Sequence, residues 1–404
     1  MTTPATDTVP ATVNKVLVTS SRMPFALDEI RKLGRQGLRV FAADTFAEAP
    51  GSHSKYVAES LLLPSPRYKT GEFIAELGAI IASREIDLVL PTFEEALYIA
   101  RYRHLLPNVP MFISPFSTIL GLHDKRRFIA LCQQLSIAVP RTVVASDREQ
   151  LVEAASQMTS YFARAAFSRG GVQLLTNTGP LAGALPLEEC TPTAANPWLV
   201  QEFVEGVDYC TLSVCHHGRV AAHSTYVHPK EIEHAGGIVF ESVVDDEILA
   251  VTQRIATHTA YHGQMALDFR RRADGMLVAL ECNPRATNGV LMMSPQLFFD
   301  ALLDRYPDRV LVAEPGVRSK MSVALIRDML LHLEEIPRDL VFLLSNAREV
   351  YAEPDDLLPG LYQLLSYKHV IDYRRDLAVD HNRRTDLMAA YFYDICWDGE
   401  GARC

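Results

Sequence analysis

Between residues 15 and 115, short apolar runs alternate with amphipathic stretches, and this alternation narrows the choice of fold more than any other feature of the chain. KVLVTS, LRVFAADT, IDLVLPT and VPMFIS read as strands. RMPFALDEIRKLGRQG, with its stop at Gly37, and residues 71–85 read as helices between them. Strands separated by helices do not pair as hairpins, so the expectation is a parallel, doubly wound sheet. Such sheets bind ligands beyond the carboxyl ends of their strands. Here those ends carry Thr19-Ser20-Ser21-Arg22, Asp44 and Pro91-Thr92-Phe93-Glu94-Glu95. Arg22, Glu94 and Glu95 are therefore candidates to hold a charged substrate, and an acidic pair suits an amino group. Helix capping by Ser20 and Thr92 is the competing account. No G-x-G-x-x-G follows the first strand, so nothing supports a dinucleotide there.

After Val139-Pro140 the texture changes. A helix around HDKRRFIALCQQL gives way to short strands with Gly turns: YFARAAF, WLVQEFVEG, YCTLSVCHHGRVAAHSTYV and GIVFESV. This pattern predicts antiparallel sheet. DDEILAVTQRIATHTAYHG reads as a helix, and residues beyond 310 as one strand, MSVALIRDML, followed by several helices. The expected division is a disordered tail (1–13), an N-terminal α/β domain (14–117), two α+β segments (118–200 and 201–310) and a C-terminal extension (311–404). The formal net charge of −10 argues against a duplex nucleic-acid binder. No apolar run approaches a membrane span, and the first dozen residues lack the cationic start and apolar core of a secretory signal. Seven cysteines without a CxxC suit reduced thiols in the cytoplasm.

MALDFRRRADGMLVALECNP carries the most chemistry. Asp274-Gly275 is a strong two-residue turn signal between alternating strands. If those two residues make the turn, Asp268 faces Glu281, and the two-residue period puts Asp268, Glu281 and Asn283 on one face. Met265, Leu267, Phe269, Leu280 and Cys282 take the apolar face. Two carboxylates then meet across neighbouring strands with Cβ atoms about 5 Å apart, an arrangement that costs stability. A divalent cation with hard oxygen ligands offsets the repulsion, and Asn283 adds a third oxygen. Mg²⁺ prefers a few carboxylates plus substrate phosphates, so the pattern leaves room for a nucleotide. Arg285 follows the strand, where a guanidinium beside a metal–phosphate site would hold phosphoryl oxygens. The competing readings are a solvated surface hairpin and a surface Arg ion pair.

Asp268 with Glu281-Cys282-Asn283-Pro284-Arg285 resembles the metal-binding end of the ATP-grasp enzymes. The likeness is to the carboxylate-amine ligase branch, similar to the carbamoyl-phosphate synthase large chain and biotin carboxylase. Three further stretches support it in the right order across residues 15–310. Lys125, in HDKRR, matches a Lys that reaches nucleotide phosphates. FARAAFSRGG matches a cation followed by a phosphate-covering glycine loop, with Arg164 where the family usually has Lys, then Ser168, Gly170 and Gly171. LVQEFVEGVDY matches the hinge that holds adenine: Gln201 and Glu202 toward the amino group, the backbone of Phe203 and Val204 at the ring edge. Asp208 matches a ribose ligand that is often Glu in the family.

The resemblance implies two α+β lobes sandwiching ATP, with Mg²⁺ (or Mn²⁺) on Asp268, Glu281 and Asn283. It implies catalytic roles for Arg285, Asn283 and Arg164 in forming an acyl phosphate, which an amine then converts to an amide. Small-molecule carboxylate and amine substrates follow, an amino acid among them. A bicarbonate-activating carboxylase or carbamoyl-phosphate-type synthetase is the alternative, and a catalytically silent ATP-binding regulator a third reading. HSTYVHPKEIEHAGGIVFES adds His228, Lys230, Gly236 and Gly237 as candidate substrate contacts, and its histidines match no familiar zinc spacing. Residues 311–404 are apolar enough to pack as a lid on the body or as the surface of a homodimer.

Overall fold

In the computed structural model, which describes residues 9–10, 12–168, 174–232, 236–376 and 387–399, the chain begins as a parallel βα layer. β1 (Lys15–Val18) is followed by α1 (Pro24–Arg35), β2 (Arg39–Asp44), β3 (Val57–Leu62), α2 (Thr70–Arg84), β4 (Leu88–Leu90) and α3 (Glu95–Arg101). The sheet order is β3-β2-β1-β4 with every pair parallel, as the alternation requires. Two strand assignments change. VPMFIS contributes only the isolated bridge Val89–Met111, while Val57–Leu62 forms the edge strand. That edge strand alternates half-buried and exposed residues and carries Glu59 and Ser60, so it lacks the unbroken apolar run of its buried neighbours. Val9 and Val13, within the expected disordered tail, are buried in the core.

α4 (Phe116–His123) and α5 (Lys125–Gln134) lead into a four-stranded antiparallel sheet. It consists of β5 (Thr142–Ala145), β6 (Tyr161–Ala165), β7 (Leu175–Thr176) and β8 (Trp198–Glu202), covered by α6 (Arg148–Ser156). The next sheet is larger. β9 (Val207–His216), β10 (Arg219–Glu231) and β11 (Gly237–Val243) precede α7 (Asp246–His258), then β12 (Gly263–Arg271) and β13 (Leu277–Asn283). After α8 (Pro295–Leu302), β14 (Leu311–Val312) pairs β10, and β15 (Arg318–Lys320) extends the sheet.

The extension continues as α9 (Ser322–Leu331), α10 (Ile336–Leu343), β16 (Arg348–Glu349), α11 (Leu358–Leu365), α12 (Tyr367–Asp376) and α13 (Leu387–Phe392). MSVALIRDML, expected as a strand, is therefore helix α9. Its buried positions, Leu325 and Asp328, stand three apart, the spacing of one helical face. The chain end then returns to the N-terminal sheet, where Trp397 packs against Tyr98 and Phe116.

Candidate active site

The β12–β13 hairpin pairs Asp268 with Glu281 as expected, but through two offsetting departures. The turn has three residues: Gly275 N–H donates to the Arg272 carbonyl, Arg272 N–H donates to the Met276 carbonyl, and Gly275 takes the left-handed region at φ 88°. A bulge then restores the register, because Phe269 pairs Ala279 while Asp268 pairs Glu281, leaving Leu280 as the extra residue. The freed Ala279 N–H donates to the Ala138 carbonyl at 2.9 Å.

Cations reach this hairpin from two other elements. Arg164 on β6 stands on the face opposite the buried Ala163 and Ala165 and meets Glu281 Oε2 at 2.6 Å. Lys125, at the start of α5 and buried, donates to the Ser168 carbonyl at 2.7 Å and lies 3.5 Å from Glu281 Oε2. The Asn283 amide bridges the pair, donating to Glu281 Oε1 at 3.1 Å and to Asp268 Oδ2 at 3.3 Å. Arg285 donates to Asn283 Oδ1 at 3.1 Å, and its guanidinium lies 4.3 Å above the ring of Phe93 from the N-terminal domain.

The electrostatics split the two acids. Burial, then the charge of Glu281, push the Asp268 carboxyl up to about 8. Burial would also raise Glu281, but Arg164 and then Lys125 outweigh it and hold that carboxyl well below the usual range. No ion pair to Asp268 occurs among the described residues, so the hairpin favours an additional positive charge at Asp268. Two hard carboxylates beside the cations Lys125 and Arg164 suit a magnesium ion with a polyphosphate, and Asn283 would add its Oδ1, now held by Arg285, on turning its amide. Among the described residues, no group of three or more His, Cys, Asp or Glu side chains could hold a metal, which leaves this mixed carboxylate–amide set.

The segment expected as a hinge begins in the last residues of β8 and ends in the first of β9. Gln201 is buried and donates to Thr142 Oγ1 at 3.2 Å, and Glu202 accepts from Arg141 N–H at 3.1 Å. Phe203 N–H donates to the Ser160 carbonyl at 3.0 Å. Asp208 binds Arg270 in a two-point pair at 2.5 and 2.7 Å, and the same Arg270 donates to the Val204 carbonyl at 2.7 Å. Sequence reasoning missed Arg270 and Phe93. Arg270 faces Asp208 on the adjacent strand, which becomes legible only once β12 is known to lie beside β9. For Phe93 under Arg285 no sequence signal exists. Ser168 is described, whereas Gly170 and Gly171 lie outside the described residues.

The charged candidate substrate contacts already have partners within the protein. Arg22 is fully buried between Asp44 at 2.5 Å and Asp394 at 2.8 Å. Glu95 accepts from Thr19 Oγ1, Ser20 Oγ and the N–H groups of Thr92 and Phe93. Glu94 accepts from Trp397 N–H at 2.7 Å. Lys230 is buried against Asp328 at 2.8 Å and Asp339 at 3.1 Å. His228 bonds Glu231 at 3.0 Å, and its ring fills the space beside Gly237, where a Cβ would stand 2.2 Å from it. Gly236 takes φ 139°, in the region that favours glycine. These contacts give Arg22, Glu94, Glu95 and Lys230 partners within the protein, and His228 fills the space that a side chain at Gly237 would need.

No protein-family model matches the chain, and no curated protein does. Solved structures do. An L-amino acid ligase from Bacillus licheniformis is 15% identical over 72% of this chain and 74% of that one, with a TM-score of 0.54. N5-carboxyaminoimidazole synthetase from Staphylococcus aureus, complexed with ADP, is 11% identical over 82% and 88%, with a TM-score of 0.61. A biotin carboxylase from Campylobacter jejuni is 14% identical over 72% and 71%, with a TM-score of 0.54. The chain shares the fold of these proteins. Among its described residues no helix is long and apolar enough to cross a membrane.

Proposed function

We propose that this chain, whose fold is that of the ATP-grasp proteins, is an ATP-dependent ligase joining a small carboxylic acid to an amine. One observation carries the reading. Two carboxylates are forced together on the β12–β13 hairpin, with Asn283 between them and Lys125 and Arg164 opposite. Asp268, Glu281 and Asn283 would hold Mg²⁺, which when bound neutralises β- and γ-phosphate charge. Lys125 and Arg164 would release Glu281 in part and turn to phosphate oxygens. Gln201, Glu202, Phe203 and Val204 would border adenine, and Asp208, already fixed by Arg270, the ribose. Ser168, with the loop after it, would cover the phosphates.

The acid's oxygen attacks the γ-phosphorus, and the bond to the ADP oxygen breaks. Arg285, over the ring of Phe93, would stabilise the phosphoryl oxygens of the resulting acyl phosphate. The amine nitrogen then bonds to the acyl carbon, loses a proton, and phosphate departs. No protein nucleophile is needed. The structural neighbours named for an amino-acid ligase and for a carboxylase support including both amino acids and bicarbonate among the acids tested. ADP release should be measured with Mg²⁺-ATP across carboxylic acids, amino acids and amines. Release requiring one acid and one amine is expected. Release with bicarbonate alone would assign a carboxylase, and nucleotide binding without release anywhere in the panel would leave a regulator.

A further inference from the structure

The last described stretch of the chain, residues 391–399, lies along the rim at the carboxyl ends of the parallel strands. Its polar anchors are all on that rim. Asp394 is held by Arg22 at 2.8 Å, Asp398 pairs with Arg67 at 2.8 Å, and Trp397 N–H donates to Glu94 at 2.7 Å.

From this footing the stretch touches two supports of the proposed site, one near each end. Near its start, the Phe392 ring lies 5.0 Å from the ring of Phe93, and the Arg285 guanidinium lies 4.3 Å above that same Phe93 ring. At its end, Gly399 packs on Phe167, the residue before Ser168. A Cβ at position 399 would stand 2.5 Å from the Phe167 ring, and the backbone there takes φ 85°. Glycine therefore answers both a close approach and a left-handed conformation. Phe167 is otherwise fixed by its N–H, which donates to Asn196 Oδ1 at 3.0 Å. Phe93 follows a strand of the parallel sheet and Phe167 a strand of the four-stranded antiparallel sheet, so one short stretch bridges two sheets. Residues 394–398 alone would cover the rim; the contacts at 392 and 399 reach past it toward the site.

We propose that residues 391–399 are a positioning strap for the ligase site. Phe392 steadies the Phe93 ring under Arg285, and Gly399 seats Phe167 and with it the approach to Ser168. The inference rests on the ligase reading and adds two positioning residues to it, neither of which touches substrate or nucleotide. Precise placement of groups that act on a transferring phosphoryl group matters more to the transition state than to the bound nucleotide. Loss of the strap therefore lowers kcat and leaves KM for ATP nearly alone.

Hydrogen exchange of the wild-type protein, with and without Mg²⁺ and a non-hydrolysable ATP analogue, requires no variant and no turnover. Exchange should slow at 163–168 and at 395–398 together; slowing at 163–168 alone overturns the strap. Gly399→Ala, close to the chain end and so a small risk to folding, should lower kcat for ADP formation about 10-fold with KM for ATP within about twofold. Phe392→Leu should lower kcat about 3-fold, and adding it to Phe93→Leu should slow the enzyme no further, because the two act through one ring. Effects of Phe392→Leu and Phe93→Leu that multiply, or a kcat per folded molecule unchanged in Gly399→Ala, overturn the strap while the ligase reading stands. Failure of the wild-type protein to bind Mg²⁺-ATP in calorimetry overturns both.

Discussion

Two regions of the molecule gather carboxylates at the ends of strands, and they treat them in opposite ways. At the carboxyl ends of the parallel sheet, Glu95 is met by two hydroxyls and two backbone N–H groups, and Arg22 lies between Asp44 and Asp394. On the β12–β13 hairpin, Asp268 and Glu281 share one amide, while Arg164 and Lys125 both turn to Glu281. In the first region protein donors meet every acid, so the acids act as structure. In the second, one acid is left beside another without a cation of its own. A buried carboxylate held by the fold beside a second acid, with no ion pair of its own among the described residues, is what a site for an external ion looks like.

The contrast breaks most visibly if Glu281→Gln is tolerated. The expected outcome is ADP formation reduced by about 1,000-fold or more, with the melting temperature nearly unchanged, because Asp268, relieved of the Glu281 charge that raises it, ionises and offsets the loss of the Arg164 pair. Substantial residual turnover would move the metal elsewhere. Arg22→Ala should do the reverse. Leaving Asp394 buried without its guanidinium should cost about 3–5 kcal/mol in urea denaturation, while Mg²⁺-ATP affinity in calorimetry stays within about twofold.

A third buried acid lies between the two regions. Glu29 on α1 is pushed up to about 8 by burial, with Gln264, Lys32, Asp28 and Glu95 as its surroundings. Its folded-state value exceeds its ordinary value of 4.5, so the folded protein holds a proton that the unfolded chain releases. The stability associated with it is present below the lower value and is lost as pH rises toward 8. Glu29→Gln should therefore gain stability over wild type between pH 5 and pH 8, by on the order of 2–4 kcal/mol in denaturant titrations. A flat difference would mean Gln264 keeps the acid ionised. The smallest expected effect is at the shelf: Phe93→Leu removes the ring beneath Arg285 and should slow ADP formation by about 3–5-fold, with little change in nucleotide affinity.

The site was more legible than its surroundings. Asp268 opposite Glu281 follows from strand period and a turn signal, and it survives an error in the turn because the bulge at Leu280 cancels the extra loop residue. Arg164 and Lys125 both reach Glu281, yet no local pattern says that β6 and α5 approach β13. Arg22 and Glu94 have partners, Asp394 and Trp397, more than three hundred residues away, which no local pattern reveals. Lys230 is a similar case, since Asp328 and Asp339 sit on a helix pair whose first member reads as a strand. Sequence periodicity reports which face is buried; it does not report which distant element supplies the counter-charge.

The most direct test of the central claim is a crystal structure with Mg²⁺ and a non-hydrolysable ATP analogue. The expected result is a metal ligated by both Asp268 and Glu281, with the terminal phosphates between it and Lys125 and Arg164. A nucleotide bound elsewhere, or these two carboxylates still joined only through Asn283 while the metal sits on other residues, would contradict the account.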